Sequence, residues 1–346
     1  MSSLHNNRDV VHESRLSASS GQTIATLGGR ALLPNRGVPL DLNWVQAVRA
    51  NTSAVERRAQ SQVARRTVKK EWQAAWLLRA ISCMDLTTLS GDDTDERVRR
   101  LCAKARHPLQ QELEQKLEIE ELRVQVAAVC VYHTFVETAR HALEGTDIHV
   151  AAVSTGFPAG LSPLAERVAE IRRSVEAGAH EIDVVITRAH VFGARWQALY
   201  DEIAEFKQAC GAAHMKVILG TGDLLTLRNV ARASVVAMMA GADFIKTSTG
   251  KEPTNATLPV SLVMVRAIRE YAQQTGMAVG FKPAGGIRTA KQSLDWLAMM
   301  KEELGLSWMR ADMFRFGASS LLGDIERQLD HIATGRYSAE YRHPIA

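Results

Sequence analysis

Short apolar segments alternate eight times with longer amphipathic segments along most of this chain of 346 residues. The apolar segments, which predict strands, are 80–86, 124–132, 149–154, 180–186, 214–219, 243–248, 278–283 and 313–316. The amphipathic segments, which predict helices, are 94–106, 135–143, 163–177, 194–209, 224–239, 259–275, 290–303 and 320–332. The strands are rich in Val, Ile and Ala with little polar alternation, as expected when both faces of a sheet are buried. Eight such units in roughly 250 residues predict a (β/α)₈ TIM barrel rather than an open sheet.

The chain divides into four predicted segments. Residues 1–40 are rich in Ser, Asn and Gly without hydrophobic periodicity, so we expect a disordered tail there. Residues 41–78 place apolar side chains at helical spacing among charges, which predicts a helical N-terminal extension. Residues 79–334 then form the barrel domain, and residues 335–346 form a C-terminal tail.

The net charge of +4 is unevenly distributed along the chain. Residues 1–80 contain 12 Lys and Arg but 5 Asp and Glu, so the excess positive charge lies in this segment. Its basic pairs at 57–58, 65–66 and 69–70 could contact nucleic acid or anionic lipid. Aromatic residues do not interleave with these pairs, so we interpret them as the solvated face of a helix. We therefore expect neither a nucleic-acid partner nor a membrane partner.

The sequence also bears on location. No apolar run reaches the roughly 20 residues that a membrane-spanning helix needs, and residues 1–20 lack the apolar core of a secretory signal. The four cysteines show no CxxC spacing, a pattern typical of reduced and largely buried thiols. We therefore expect a cytoplasmic protein.

Charged residues at the carboxyl ends of the predicted strands indicate where chemistry takes place. In a barrel those ends face one mouth, and here they carry Asp85, Asp183, Lys246 and Lys282. A buried charge is costly unless it is paired, so Asp183 and one lysine could form a purely structural ion pair. However, consecutive strands carry the two lysines. At about 4 Å their amines would repel by about 4 kcal/mol at an effective dielectric of about 20.

Such repulsion lowers the pKa of one amine, and a neutral amine can attack a carbonyl group to form a Schiff base. Asp183 could then move protons through a bound water, as imine chemistry requires. The spacing alone does not decide whether Lys246 or Lys282 is the nucleophile.

Two glycine-containing loops follow the last two predicted strands. Gly285 and Gly286 precede one helix, and Gly317 with Ser319 and Ser320 opens the next. Free N–H groups at a helix start bind phosphate, and barrels often place a phosphate site after strands 7 and 8. Turn geometry alone could explain either loop, but the two together predict a phosphorylated substrate. The sequence shows no cluster with metal-ligand spacing, so we expect no metal.

These motifs resemble those of deoxyribose-phosphate aldolases, which are class I, Schiff-base aldolases. The similar segments begin at Met84 (MDLTTLSGDDTDERV), Cys130 (CVY), Glu181 (EIDVVI), Gly241 (GADFIKTSTGKEPTNAT), Gly280 (GFKPAGGIRTA) and Phe314 (FRFGASSLL). The resemblance implies cleavage of 2-deoxy-D-ribose 5-phosphate into acetaldehyde and D-glyceraldehyde 3-phosphate in deoxyribonucleotide catabolism. It also implies that the reaction needs neither a metal nor an organic cofactor.

The resemblance further implies roles by motif position. Lys246 would form the Schiff base, Lys282 would depress its pKa, and Asp183 would relay protons with Lys282 and a water. Asp85 would contact a substrate hydroxyl or help to order the site. The remaining substrate-binding residues, most of which would hold the phosphate, are Thr249, Gly250, Lys251, Gly285, Gly286, Gly317, Ser319 and Ser320.

Some positions depart from the family pattern. His133 follows CVY where proline is expected, which could alter the loop after the second strand. Some members carry a C-terminal tyrosine as a proton carrier, but this chain ends in Pro-Ile-Ala. Tyr337 or Tyr341 could take that role, or the role could be absent.

A different class of function is a catalytically silent barrel that binds a partner through its basic extension. The set of two lysines and one aspartate argues against it, because a scaffold has no use for crowded amines. The sequence leaves the oligomeric state open, including a homo-oligomer.

Overall fold

The computed structural model describes residues 23–65, 68–69, 71–339 and 342–343. Its strands are β1 Ala25–Leu27, β2 Arg30–Pro34, β3 Met84–Thr87, β4 Ala128–Tyr132, β5 His149–Ser154, β6 Glu181–Val185, β7 His214–Ile218, β8 Phe244–Lys246, β9 Met277–Ala278, β10 Gly280–Lys282 and β11 Phe316–Ala318. Its helices are α1 Leu42–Ala47, α2 Thr52–Arg65, α3 Glu71–Ser82, α4 Asp95–Arg106, α5 Gln111–Leu117, α6 Val136–Ala142, α7 Leu164–Glu176, α8 Arg188–Phe192, α9 Trp196–Cys210, α10 Leu227–Met239, α11 Leu258–Thr275, α12 Ala290–Glu303 and α13 Leu321–Thr334. No helix in this part of the chain is long and apolar enough to cross a membrane.

Eight parallel strands of the described chain form the central sheet, in the order β10-β8-β7-β6-β5-β4-β3-β11. The first and last strands of that order are joined by bridges between Phe281 and Phe314 and between Ala284 and Gly317. The sheet therefore closes into a cylinder. Helices follow the strands around its outside, which confirms the predicted (β/α)₈ barrel.

Threonine caps start several of the outer helices. The hydroxyls of Thr226, Thr257 and Thr289 each accept a hydrogen bond from the backbone N–H three residues later, at the starts of α10, α11 and α12. Gln292 completes a capping box in α12. Each such cap contributes about 1 kcal/mol and fixes the first turn of its helix where the chain leaves the barrel mouth.

Several predicted strands begin later in the structure than in the sequence prediction, among them the one predicted at 124–132, which begins at Ala128. The strand predicted at 80–86 begins at Met84, because α3 continues to Ser82 and buries Leu77, Leu78 and Ile81 at helical spacing. The strand predicted at 313–316 begins at Phe316, with one isolated bridge before it. Apolar runs of this length fit either a buried helix turn or a strand, so their pattern alone does not place the boundary.

The N-terminal segment contains an ordered hairpin. β1 pairs with β2 in antiparallel register, and β2 pairs with β9 in parallel register. The turn is Gly28–Gly29, with φ of +57° and +82°, the geometry of a two-residue hairpin turn that favours glycine. The structure thus differs from the predicted disordered tail at residues 25–34. Residues 1–22 of that prediction lie outside the described residues.

The segment predicted as a helical extension contains α1, α2 and most of α3. Trp44 stacks on Tyr271 of α11 with ring centroids 5.9 Å apart, and its indole N–H donates to Glu270. Asn35, just after β2, donates to the carbonyls of Met238 and Ala242. These contacts attach the extension to the outside of the barrel.

Candidate active site

A cavity of about 340 Å³ opens at the carboxyl ends of the barrel strands. Nine of the twelve predicted site residues line it, namely Lys246, Thr249, Gly250, Lys251, Gly285, Gly286, Gly317, Ser319 and Ser320. The other three, Asp85, Asp183 and Lys282, are fully buried in the barrel interior. The contacts described next join these three to Lys246, so the structure brings the twelve residues into one region.

Two lysines share one carboxylate oxygen at the base of this cavity. Lys246 on β8 and Lys282 on β10 are Cα partners in the parallel register, so their side chains point the same way. Lys246 Nζ donates to Asp183 Oδ2 at 2.7 Å, and Lys282 Nζ donates to the same oxygen at 2.8 Å. The amines are therefore close neighbours on the inside of the barrel.

The surroundings of the two amines shift their pKa values in opposite directions. Burial lowers the pKa of the Lys246 amine; Asp183 opposes that effect, and the charge of Lys282 lowers the pKa further. Burial also favours a neutral Lys282, but Asp183 and Asp85 outweigh it and raise the pKa of that amine. Repulsion between the lysines is thus present, as the sequence suggests, but burial is the larger cause at Lys246.

Asp85 is placed for ordering the site rather than for touching a substrate. It is fully buried and does not line the cavity. Its Oδ2 accepts a hydrogen bond from Lys282, and its Oδ1 accepts one from Arg315 at 2.5 Å. These contacts fit the second of the two predicted roles for Asp85.

The sequence reasoning missed three buried ionisable residues that complete this group. Lys216 on β7 contacts Glu181 and lies 3.0 Å from Asp183 Oδ1. Arg315 donates to Glu181 Oε1 at 2.7 Å and Oε2 at 3.1 Å. Each side chain is at most 3% exposed.

A signal for these residues was available in the sequence. Lys216 interrupts the apolar strand His214–Ile218, Glu181 lies two positions before Asp183 and so on the same strand face, and Arg315 stands between two phenylalanines. A charge inside a short strand with both faces buried must find a partner across the barrel. The pairing itself depends on side chains from three different strands, which spacing does not specify.

Glycines leave room for the site at two positions. A Cβ at Gly317 would lie 2.8 Å from Ala284 Cβ and 3.3 Å from Lys282 Cε. At Gly285, where φ is +78°, a Cβ would lie 2.7 Å from Asn255 Cγ. Glycine at these positions lets β11 approach Lys282 and gives the loop after β10 its left-handed backbone beside Asn255.

The start of α13 opens onto the cavity. Ser320 is the N-cap residue, and its side chain makes no capping hydrogen bond. Ser319 and Ser320 are both exposed, and both line the cavity. The first N–H groups of a 14-residue helix lie beside them, which is the arrangement that binds phosphate.

The loop after β8 is arranged differently. The backbone N–H groups of Thr249 and Gly250 donate to the Glu252 carboxylate at 3.0 and 3.1 Å, and the Thr249 hydroxyl donates to it at 2.7 Å. Arg188 lies 3.4 Å from the same carboxylate. The N–H groups of Gly250, a predicted phosphate-binding residue, and of Thr249, a predicted substrate-binding residue, are therefore satisfied within the protein.

The departures from the family pattern have clear positions. His133 begins a 3₁₀ turn after β4, and its ring lies 3.5 Å from Glu170. Tyr337 stacks on His331 with centroids 4.4 Å apart, near the end of α13 and about 15 Å along that helix from the mouth. Tyr337 is therefore not part of the site in this structure, and Tyr341 lies outside the described residues.

A larger cavity of about 520 Å³ lies between α7 and α9. Arg167 in its wall donates to Glu202 at 2.9 Å and to backbone carbonyls, so its charge is already paired. Within the described residues, no three His, Cys, Asp or Glu side chains are grouped as metal ligands are. The lysine cluster is the more reactive arrangement.

Residues 79–323 match the model of a family described as DeoC/LacD family aldolase. This match covers well over half of the chain. The chain belongs to this family. Its barrel, with lysines on two adjacent strands at the mouth, is the part that the family match covers.

Individual relatives agree with the family assignment. The chain is 58% identical to the deoxyribose-phosphate aldolase of Mus musculus over 313 residues, which is 90% of this chain and 98% of that protein. The deoxyribose-phosphate aldolase of Homo sapiens is 56% identical over 314 residues, with 90% and 99% covered. Among solved structures, the deoxyribose phosphate aldolase of Aeropyrum pernix, described as a unique tetramer, matches with a TM-score of 0.55 and 24% identity over 81% of this chain and 99% of that chain. That likeness supports the barrel fold.

Proposed function

We propose that this chain is a class I aldolase that cleaves 2-deoxy-D-ribose 5-phosphate into acetaldehyde and D-glyceraldehyde 3-phosphate through a Schiff base on Lys246. The observation that carries the proposal is the contact of Lys246 and Lys282 with one oxygen of Asp183, at the base of an open cavity. The relatives that cover nearly the whole chain are deoxyribose-phosphate aldolases, which supports this substrate.

The first step needs a neutral amine. Lys246 adds through its lone pair to the C1 aldehyde of the open-chain sugar, and loss of water gives a protonated Schiff base. Lys282, which keeps its proton, can donate to the departing hydroxyl, and Asp183 can relay protons between Lys282 and a water.

Cleavage then breaks the C2–C3 bond. A base removes the proton of the C3 hydroxyl, and the bonding electrons move into the protonated Schiff base. D-glyceraldehyde 3-phosphate leaves, and an enamine remains on Lys246. Protonation at C2 and hydrolysis release acetaldehyde and restore the free amine.

Binding is proposed to use the two glycine loops. The phosphate would lie at the start of α13, where N–H groups are free, and the positive end of the helix favours an anion. The residues that we propose for substrate contact are Lys251, Gly285, Gly286, Gly317, Ser319 and Ser320, with Thr249 and Gly250 shaping the loop through Glu252.

Other features stay predictions. These are a catalytic unit at residues 79–334, a cytoplasmic location, a role in deoxyribonucleotide catabolism and association into a homo-oligomer. The alternative of a catalytically silent barrel gains no support, because Lys246, Lys282 and Asp183 are assembled in one buried group.

Borohydride reduction in the presence of the phosphorylated sugar, followed by peptide mapping, tests the function. We expect a stable adduct on Lys246 that is absent from Lys246→Ala. An adduct on Lys282 would overturn the assignment of the nucleophile, and no adduct would overturn the mechanism. Turnover of 2-deoxy-D-ribose 5-phosphate against fructose 1,6-bisphosphate separates the proposed substrate from that of another lysine aldolase.

A further inference from the structure

One lysine at the centre of the buried group has no part in the steps above. Lys216 Nζ contacts Glu181 Oε2, lies 3.0 Å from Asp183 Oδ1 and lies 3.5 Å from Asp85 Oδ2. The side chain is fully buried and does not line the cavity. It therefore acts through its carboxylate neighbours and not by touching the substrate.

The contacts divide the Asp183 carboxylate into two halves. Lys216 holds Oδ1, whereas Lys246 and Lys282 both contact Oδ2. Register explains this division, because Asp183 and Lys216 are Cα partners on β6 and β7, while the other lysines stand on β8 and β10. With Oδ1 occupied, the carboxylate cannot rotate without breaking a buried contact to a charge, which is costly.

The buried group is electrically balanced when Lys246 is neutral and its other members are charged. Apart from Lys246, its charged members are three cations and three carboxylates: Lys216, Lys282, Arg315, Asp85, Glu181 and Asp183. A protonated Lys246 would add an unpaired positive charge inside the barrel, whereas a neutral Lys246 adds none.

Two further titratable groups face this set. Cys130 on β4 is buried, and burial raises the pKa of its thiol, so it stays uncharged. His149 on β5 reaches Glu181 Oε1 at 2.6 Å from the half-exposed base of the barrel. Lys216 differs from both, because it is a fully buried lysine that contacts Glu181 and Asp183.

We propose that Lys216 is a positioning residue of the aldolase site: it fixes Asp183 for the two other lysines, and its charge makes a neutral Lys246 the balanced state. The inference rests on the proposed function, in which Lys246 is the nucleophile. The electrostatics agree with the geometry. Burial raises the pKa of Asp183, but Lys216, followed by Lys246 and Lys282, outweighs it, and the pKa lies well below its ordinary value.

The test measures the rate at which Lys246 is trapped by acetaldehyde and cyanoborohydride as a function of pH, with the adduct quantified by mass spectrometry. Lys216→Met removes one positive charge, so a protonated Lys246 becomes the balanced state and its pKa rises. We expect the acidic limb of the profile to move to higher pH by at least about one unit, with about tenfold slower trapping below the limb. At high pH the trapping rate should approach that of the unsubstituted chain.

Two companion variants test the direction in which the acidic limb moves and whether that movement can be reversed. Glu181→Gln removes a negative charge, so the limb should move to lower pH. The double variant Lys216→Met with Glu181→Gln restores the balance, so its limb should return toward the original pH. A residue that only packed the barrel would give a double variant worse than either single one. If Lys216→Met does not fold, comparing the double variant with Glu181→Gln still shows the direction in which Lys216→Met moves the acidic limb.

The control is Lys104→Met, which removes a lysine charge from an ion pair with buried Glu326 outside this group. Its pH profile should match that of the unsubstituted chain. Equal profiles in Lys216→Met, Glu181→Gln and the control would overturn the role of Lys216 and leave the proposed function intact. Failure to trap Lys246 in the unsubstituted chain would overturn both.

Discussion

Lys246 and Lys282 are both buried and share a carboxylate oxygen, yet their amines are shifted in opposite directions. The difference lies in how many carboxylates each one contacts. Lys246 contacts Asp183 alone, whereas Lys282 contacts Asp183 and Asp85. One carboxylate does not offset the loss of water around a buried amine, and two do. The amine with a single partner is thus the one available for attack.

Replacing Lys282 tests this account at the level of one side chain. In Lys282→Leu, Asp183 loses a cation and Lys246 loses a like charge, so the pKa of the Lys246 amine should rise. We expect the acidic limb of kcat/KM to move to higher pH and activity near pH 7 to fall by about a hundredfold or more. Lys104→Leu serves as the control. An unchanged pH profile in Lys282→Leu would contradict the electrostatic account.

The lysines at the mouth could be predicted from the sequence, whereas the ion pairs of Lys216 and Arg315 could not. Lys246 and Lys282 were found because each ends an apolar run and precedes glycine and hydroxyl residues. Lys216 and Arg315 lie within apolar runs, and their function depends on which side chains meet them across the barrel. Strand register decides which side chains face each other, and the residue pattern of one strand does not contain that register.

The elements that matter most for binding are the short loops after β10 and β11 and the start of α13. Helix α13 begins with an N-cap serine that makes no capping contact, unlike α10, α11 and α12, whose threonines are engaged. The starts of α5 to α9 also lack a side-chain cap, but the start of α13 opens onto the cavity beside Lys246, which indicates where an anion would bind.

A negative charge placed at this helix start tests the proposed phosphate site. Ser320→Asp should raise KM for 2-deoxy-D-ribose 5-phosphate about tenfold or more, because the carboxylate repels the phosphate. Turnover of unphosphorylated 2-deoxy-D-ribose should not fall to the same degree. Thr226→Asp puts the same charge at the start of α10, a helix whose N-cap residue already caps it, and should leave both substrates unaffected. Equal losses with both sugars in Ser320→Asp would count against phosphate binding there.

The sequence located helices and strands where the hydrophobic periodicity extends over many residues, and it missed them where the periodicity extends over few. The helices around the barrel run for several turns, so the sequence located them. The hairpin of β1 and β2 has only three residue pairs, and its second strand depends on β9, more than 240 positions away. A pairing of that kind leaves no local signal, because neither partner is strongly apolar on one face.

At the scale of the whole molecule, the barrel interior is unusual in being filled partly by ions. Barrels of this type ordinarily pack branched apolar side chains in their core. Here three lysines, one arginine and three carboxylates occupy that space among the described residues. Buried ion pairs add little net stability, but breaking one leaves a charge without a partner. Stability and catalysis therefore depend on the same contacts.

Removing Arg315 tests that link. Arg315→Met removes one of the two cations that Glu181 and Asp85 share, so we expect the free energy of unfolding to fall by about 3–5 kcal/mol. Urea denaturation followed by circular dichroism measures the change. Lys116→Met breaks the surface pair with Glu112 and should have almost no effect. A similar small effect for Arg315→Met would show that the interior ions do not support the fold.

The central claim is that the Lys246 amine loses its proton at a lower pH than the Lys282 amine, and a direct titration of both amines tests it. Lysine labelled with ¹³C and ¹⁵N at the ε position, with signals assigned through Lys246→Met and Lys282→Met, reports each Nζ by nuclear magnetic resonance. We predict that Lys246 titrates below the ordinary lysine value of 10.5, and that Lys282 titrates above it. A Lys246 amine that titrates at or above 10.5 would contradict the account.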